Sequence, residues 1–126
     1  MRSKIIAAAA LGVACVLLGG CTAGAQSPGV LATGGDPARG SAAIFKYGCG
    51  SCHTIGGIAN ARGLVGPPLT GIRNRMYVAG MLPNTAENIV SWIRNPKEFN
   101  PKTAMPVLGV TQQDADDIAA YLYSIK

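Results

Sequence analysis

Five consecutive residues, Cys49-Gly50-Ser51-Cys52-His53, restrict this chain more than any other feature. They set two thiols three positions apart with an imidazole directly after the second, and His53 is the only histidine in 126 residues. Four chemistries use such a cysteine pair. A structural zinc ion needs a second ligand pair, and the other cysteines, Cys15 and Cys21, stand close to the N-terminus. A thioredoxin-like redox pair belongs beside a strand–helix–strand pattern, and no convincing strand is legible in the chain. A structural disulfide here closes a trivial loop and leaves His53 without a purpose. Haem attachment accounts for all three side chains: two thiols so spaced can add to the two vinyl groups on one edge of the porphyrin, and the adjacent imidazole falls under the iron. A rigid apolar cofactor bonded in the middle also eases the shortage of core in a small domain.

The chain is small because its first part reads as an address. Met1 to Lys4 form a basic start, Ile5 to Leu18 an apolar run, and Leu18-Gly19-Gly20-Cys21 closes it with small residues before a cysteine. The run is short of the roughly 20 residues a membrane span needs, so export is expected in preference to a spanning helix. Residues 1–20 are therefore expected to be a signal peptide. Much of the 48% hydrophobic content belongs to this segment. Removing Arg2 and Lys4 leaves nine Lys or Arg against six Asp or Glu, a net charge of +3 instead of +5. The remaining basic residues are not clustered on one face, which excludes the footprint of a nucleic-acid binder. Residues 21–35, rich in Gly, Ala, Ser and Thr, read as a flexible linker with a reach of roughly 20 Å relaxed and about 50 Å extended.

Residues 36–126 are expected to form the single folded domain, and it reads as helical. Asp36 and Pro37 make an N-cap followed by proline at the first helical position, opening a helix that runs towards Gly48. Thr85 with Glu87 starts a second, bearing Ile89, Trp92 and Ile93 on one face, and Pro96 ends it near Asn95. A third begins at Thr111, where Asp114 can close a capping box, and Ala115, Ile118, Leu122 and Ile125 line one side with Tyr121 adjoining.

Three stretches of this domain resemble the class I c-type cytochromes. Beside Cys49 to His53, Gly66-Pro67-Pro68-Leu69-Thr70-Gly71 is similar to the family's Gly-Pro-x-Leu-x-Gly loop, and Asn95 to Met105 to its Asn-Pro-x-x-x-x-Pro-x-Thr-x-Met segment. The Leu18 to Cys21 segment resembles the bacterial lipobox. The resemblance implies an all-α fold of three main helices and loops wrapped around one covalently bound haem c. It further implies that His53 and Met105 are the axial iron ligands, that the Pro67 carbonyl accepts a hydrogen bond from the other ring nitrogen of His53, and that Thr103 binds a propionate. Trp92 takes the place of an aromatic packed against haem and methionine. Arg75 is the candidate propionate partner, with Arg73 as its alternative, and Met76 and Met81 are the rival methionines. One departure concerns the first helix: the family sets a glycine four residues before an aromatic, whereas Gly40 lies five before Phe45, so either Phe45 or Ile44 fills that packing role. In the family the first and last helices cross closely, which casts Gly40 as the gap and Tyr121 as the filler.

The functional expectation is an electron carrier and not an enzyme. The resemblance points to single electrons passing from a quinol-oxidising complex to a terminal haem-copper oxidase, with His/Met ligation raising the reduction potential. A lipid on Cys21 would hold a monomer to the periplasmic side of the bacterial inner membrane. Lys46, Lys97 and Lys102 are expected to ring the exposed haem edge and attract an acidic partner. Two alternatives stay open: an enzyme or sensor with an open iron site, and a fixed subunit of a larger redox complex.

Overall fold

A computed structural model describes residues 33–126. The expected signal peptide, Cys21 as the expected lipid site and most of the expected linker lie outside the described residues. No helix among the described residues is long and apolar enough to cross a membrane.

Helix α1 spans Pro37–Lys46, and it starts where the sequence says it should. The Asp36 carboxylate accepts from the backbone N–H of Ala38 at 2.7 Å and of Arg39 at 3.3 Å, satisfying donors that proline at N1 leaves over. Helix α2 spans Ala86–Arg94, with Thr85 Oγ1 accepting from Asn88 N. It buries Ile89, Val90, Trp92 and Ile93. Pro96 ends α2 and opens a four-residue helix, α3, Pro96–Phe99. Helix α4 spans Gln112–Ser124 behind a Thr111 cap that accepts from Asp114 N at 3.1 Å. The reciprocal half of the expected capping box is replaced: the Asp114 carboxylate turns outward and accepts from Tyr47 Oη at 2.7 Å and Lys46 Nζ at 3.0 Å.

The architecture is helical, as expected, apart from one element the sequence did not disclose. Tyr77–Val78 (β1) and Leu82–Pro83 (β2) pair antiparallel, Tyr77 with Pro83 and Val78 with Leu82. Ala79 and Gly80 both take positive φ, 52° and 74°, the pattern of the tight turn that matches strand twist.

Helices α1 and α4 cross at Gly40. A Cβ there would lie 2.0 Å from the Asp117 carbonyl oxygen and 2.9 Å from Tyr121 Cβ, so only glycine admits this approach. Contact with α4 begins as early as Gly35, where a Cβ would meet Asp116 O at 2.1 Å. The crossing decides the packing question in α1: Ile44 is fully buried, whereas Phe45 is 74% exposed. It also buries a carboxylate. Asp117 is 1% exposed and accepts from Asp36 N at 2.7 Å, Arg39 Nε at 2.8 Å, Arg39 Nη2 at 2.9 Å and Gln113 Nε2 at 3.1 Å. Burial alone would raise its pKa, but the hydrogen bonds from Arg39, Asp36 and Gln113 outweigh it and hold the carboxyl below the ordinary range.

Two tyrosines of α4 fasten the loops. Tyr121 Oη donates to Gly56 O at 2.8 Å, and Tyr123 Oη donates to Asn84 Oδ1 at 2.8 Å. Asn84 in turn donates through Nδ2 to the carbonyls of Ile72 and Arg75, each at 2.8 Å. One helix thereby positions both the loop after the cysteine motif and the segment after the proline loop.

Candidate functional site

The cysteine motif sits on a tight turn forced by its glycines. After α1, Gly48 takes φ 68° and the chain enters a 3-10 turn, Cys49–Ser51, closed by Ser51 N and Ser51 Oγ on the Gly48 carbonyl at 3.0 and 2.7 Å. His53 N then donates to Cys49 O at 3.0 Å. The loop that follows folds back under the motif. Gly50 lies against Ala61, where a Cβ would come within 2.7 Å of its Cβ, and Gly63 N donates to Gly50 O at 3.1 Å. Gly66 N donates to Cys52 O at 2.8 Å.

That last bond brings Gly66 flat against the imidazole, where a Cβ would be 2.2 Å from His53 Cε1. The next carbonyl, that of Pro67, lies 2.7 Å from His53 Nδ1. A carbonyl oxygen can only accept, so Nδ1 carries a proton, and in the neutral ring Nε2 is the nitrogen whose lone pair is free for a metal. Burial pushes the Cys49 thiol up from its ordinary value.

Opposite the motif, the segment after α3 returns to the same space. Asn100 O accepts from Thr103 N at 3.0 Å, and Thr103 Oγ1 accepts from Met105 N at 3.3 Å, which sets Met105 half-buried. Trp92 backs this segment, its ring centroid 6.3 Å from that of Phe99.

Between the two sides lies a cavity of about 630 Å³. Cys49, Cys52, His53, Pro67, Arg75, Trp92, Thr103 and Met105 all line it, so the first-choice residues for the cofactor border one space. Its remaining walls are largely apolar, with Ile44, Ile55, Leu69, Ile72, Ile89, Ile118 and Leu122 among them. Met76 and Met81 are not on the lining, and Met76 is 79% exposed. Arg73 is likewise absent from it.

Haem c fits this arrangement. The volume is in the range of cofactor pockets, about 300–1,000 Å³. Two thiols, an imidazole with Nε2 unprotonated and a thioether border one apolar space, and no buried side-chain polar atom among the described residues lacks a partner. The walls therefore demand no polar ligand, as suits a macrocycle.

Three of the nominated basic side chains also carry bonds within the protein. Arg75 lines the cavity, but its Nη2 donates to the Pro68 carbonyl at 2.5 Å. Lys46 is held by Asp114 and lies 4.8 Å from the Tyr47 ring centroid. Lys97 turns inward onto the backbone carbonyls of Pro101 and Thr103. Of the three lysines expected to attract a partner, Lys102 alone has an ammonium with no such bond among the described residues. The sequence reading also missed Tyr77, Ala79 and Gly80, which the β-turn brings to the cavity wall. The nearest sequence signal was Tyr77 itself, an aromatic two residues beyond Arg75.

Comparison with known proteins agrees with this geometry. The family model described as Cytochrome c matches residues 37–126. Cytochrome c2 iso-1 of Rhodospirillum centenum is 34% identical over 119 residues, covering 70% of this chain and 94% of that protein. Cytochrome c-550 of Ancylobacter novellus is 31% identical, covering 68% and 92%. Cytochrome c oxidase subunit 2 of Alkalihalophilus pseudofirmus is 33% identical over 89 residues, covering 70% of this chain and 25% of that protein. The chain thus spans about a quarter of the length of the oxidase subunits it matches. No solved structure matches the chain at a significant level.

Proposed function

The chain belongs to the cytochrome c family as a class I, haem c-bearing electron carrier, and we propose that it relays single electrons in a respiratory chain, from a quinol-oxidising complex to a terminal haem-copper oxidase. Haem, when bound, would supply one-electron redox chemistry at its iron. The protein's residues bind and tune it. Cys49 and Cys52 anchor the porphyrin by thioether bonds. His53 Nε2 and the Met105 thioether would hold the iron, and Thr103 and Arg75 would serve the polar edge of the group. The hydrogen bond from Nδ1 to Pro67 O keeps the imidazole in one tautomer and makes it a stronger donor. A thioether in the sixth position favours the ferrous state and raises the potential, as a donor to an oxidase requires.

The observation that carries the reading is the placement of Met105 and His53 on one apolar cavity with the rival methionines off its lining. Support for the oxidase as acceptor comes from the relatives named cytochrome c oxidase subunit 2, in which a region similar to this chain occurs within the oxidase polypeptide. A signal peptide over residues 1–20, a lipid on Cys21 and a linker over 21–35 would keep the carrier, a monomer, on the periplasmic side of the inner membrane within reach of both partners.

The test is the absorption spectrum of the haem-loaded protein, oxidised and reduced, with Met105→Ala beside it. A weak charge-transfer band of methionine–iron ligation is expected, and only this substitution should remove it. A native protein that lacks the band and readily binds carbon monoxide has an open iron site, and electron relay through a His/Met pair is then wrong.

A further inference from the structure

We propose that Lys97 is a positioning residue, a strap that holds the Met105 segment closed over the cavity; this rests on the reading of Met105 as an axial ligand. The segment between α3 and Met105 is short of internal support. Asn100 holds Thr103 N and, through its side-chain oxygen at 3.0 Å, Lys102 N, while Thr103 Oγ1 holds Met105 N. All these bonds are local, within three residues. The two hydrogen bonds that run from α3 to residues 101–105 both come from the Lys97 ammonium: one to the Thr103 carbonyl, one to the Pro101 carbonyl at 3.4 Å.

On the far side of Met105 there is nothing comparable. No hydrogen bond joins residues 106–110 to another described residue, and Gly109 takes φ 68°. Met105 is therefore held from its N-terminal side, through Thr103, and Thr103 is tied to the rest of the fold by Lys97. An ammonium on a carbonyl is a charge-assisted bond, stronger than its neutral counterpart. Lys97 is exposed, so water screens the bond and its effect is moderate. Lys102 supplies the natural control. It carries the same charge five residues along, on the same segment, with an ammonium that bonds to nothing among the described residues.

The strap predicts how often the segment opens, which two measurements read on the haem-loaded protein. One is the rate at which added imidazole displaces the sixth ligand of the ferric iron. The other is hydrogen exchange at the Met105 amide, which does not depend on the iron. Lys97→Gln is expected to raise both by about fivefold, equivalent to about 1 kcal/mol. Lys97→Arg, which can still donate to both carbonyls, should return both to within about twofold of the native protein, and Lys102→Gln should change neither.

Equal acceleration in Lys97→Gln and Lys102→Gln would show a charge effect and overturn the strap, as would no change in either. If the native iron proves to lack a methionine ligand, the imidazole rate loses its meaning and the reading of Met105 fails. The exchange measurement then decides the strap by itself: faster exchange in Lys97→Gln alone supports it, and unchanged exchange overturns it.

Discussion

Gly40→Ala tests whether the α1–α4 crossing governs the stability of the domain. The new methyl would lie 2.0 Å from Asp117 O, 2.6 Å from Asp117 C and 2.9 Å from Tyr121 Cβ, where contacts under 3.0 Å essentially never occur. Two of these atoms are helix backbone and cannot rotate away. The helices must part by about an ångström, and overpacking of this kind costs about 1–3 kcal/mol. The same movement stretches the bonds that Asp117 accepts from Asp36 N and Arg39, all under 3 Å, at a further loss of about 1–2 kcal/mol. Alanine's better helix propensity returns about 1 kcal/mol. The net expectation is a destabilisation of about 1–4 kcal/mol, whose midpoint in a domain this size lowers Tm by roughly 10–20 °C. Guanidinium unfolding of the haem-loaded protein, followed by far-ultraviolet circular dichroism, measures it. Gly48→Ala is the reference: φ is 68° there but no atom lies within 4 Å, so only backbone strain of about 1–2 kcal/mol applies. If Gly40→Ala costs no more than Gly48→Ala, the helices accommodate the methyl and the steric reasoning is refuted.

Two further outcomes follow from the same interface. Ile44→Ala should destabilise by about 3 kcal/mol while Phe45→Ala stays within about 0.5 kcal/mol, and denaturation midpoints that reverse this order would reassign the packing role. Asp117→Asn should lose about 2 kcal/mol at neutral pH, because the buried acceptor of Arg39 and Asp36 N becomes a weaker, uncharged one. The folded carboxyl titrates below its ordinary value of 3.8, so its contribution is complete above that value and disappears as pH falls through the lower folded pKa. Native and variant stabilities should therefore converge in strong acid; a gap that persists undiminished there contradicts the assignment.

Much of the site was legible because its residue types are costly to use for anything else. A lone histidine after a cysteine pair, and a methionine reached through Asn95-Pro96 and Thr103, have few alternative purposes, and all of them face the cavity. Helix starts were legible for a local reason, since Asp36, Thr85 and Thr111 bond within their own first turns. What stayed hidden depends on distant neighbours. Strands of two residues are too short for periodicity to register. Asp117 reads as a solvent residue until α1 lays Arg39 and the Asp36 amide across it. Lys46 and Lys97 look like free surface charges, yet one pairs with α4 and the other with its own loop.

The misregister between Gly40 and Phe45 shows how two separate constraints were reconciled. The crossing requires glycine at the contact with Asp117 and an apolar residue one helical turn later, and Ile44 meets that requirement four positions on. The cysteine turn is placed independently, by Gly50 against Ala61 and by Gly63 against Ser51, where a Cβ on Gly63 would come within 2.4 Å of Ser51 O. Ile44 stands five positions before Cys49, and the helix ends at Lys46 before the motif begins. The break falls at Tyr47 and Gly48: Tyr47 ends the helix with its N–H on Ala43 O at 2.9 Å, and Gly48 turns through φ 68° into the 3-10 turn. Tyr47 also gains a fixed place, its hydroxyl on Asp114 at the start of α4. The chain therefore bends at a glycine that can bear it, between the helix crossing on one side and the turn that sets Cys49, Cys52 and His53 on the other.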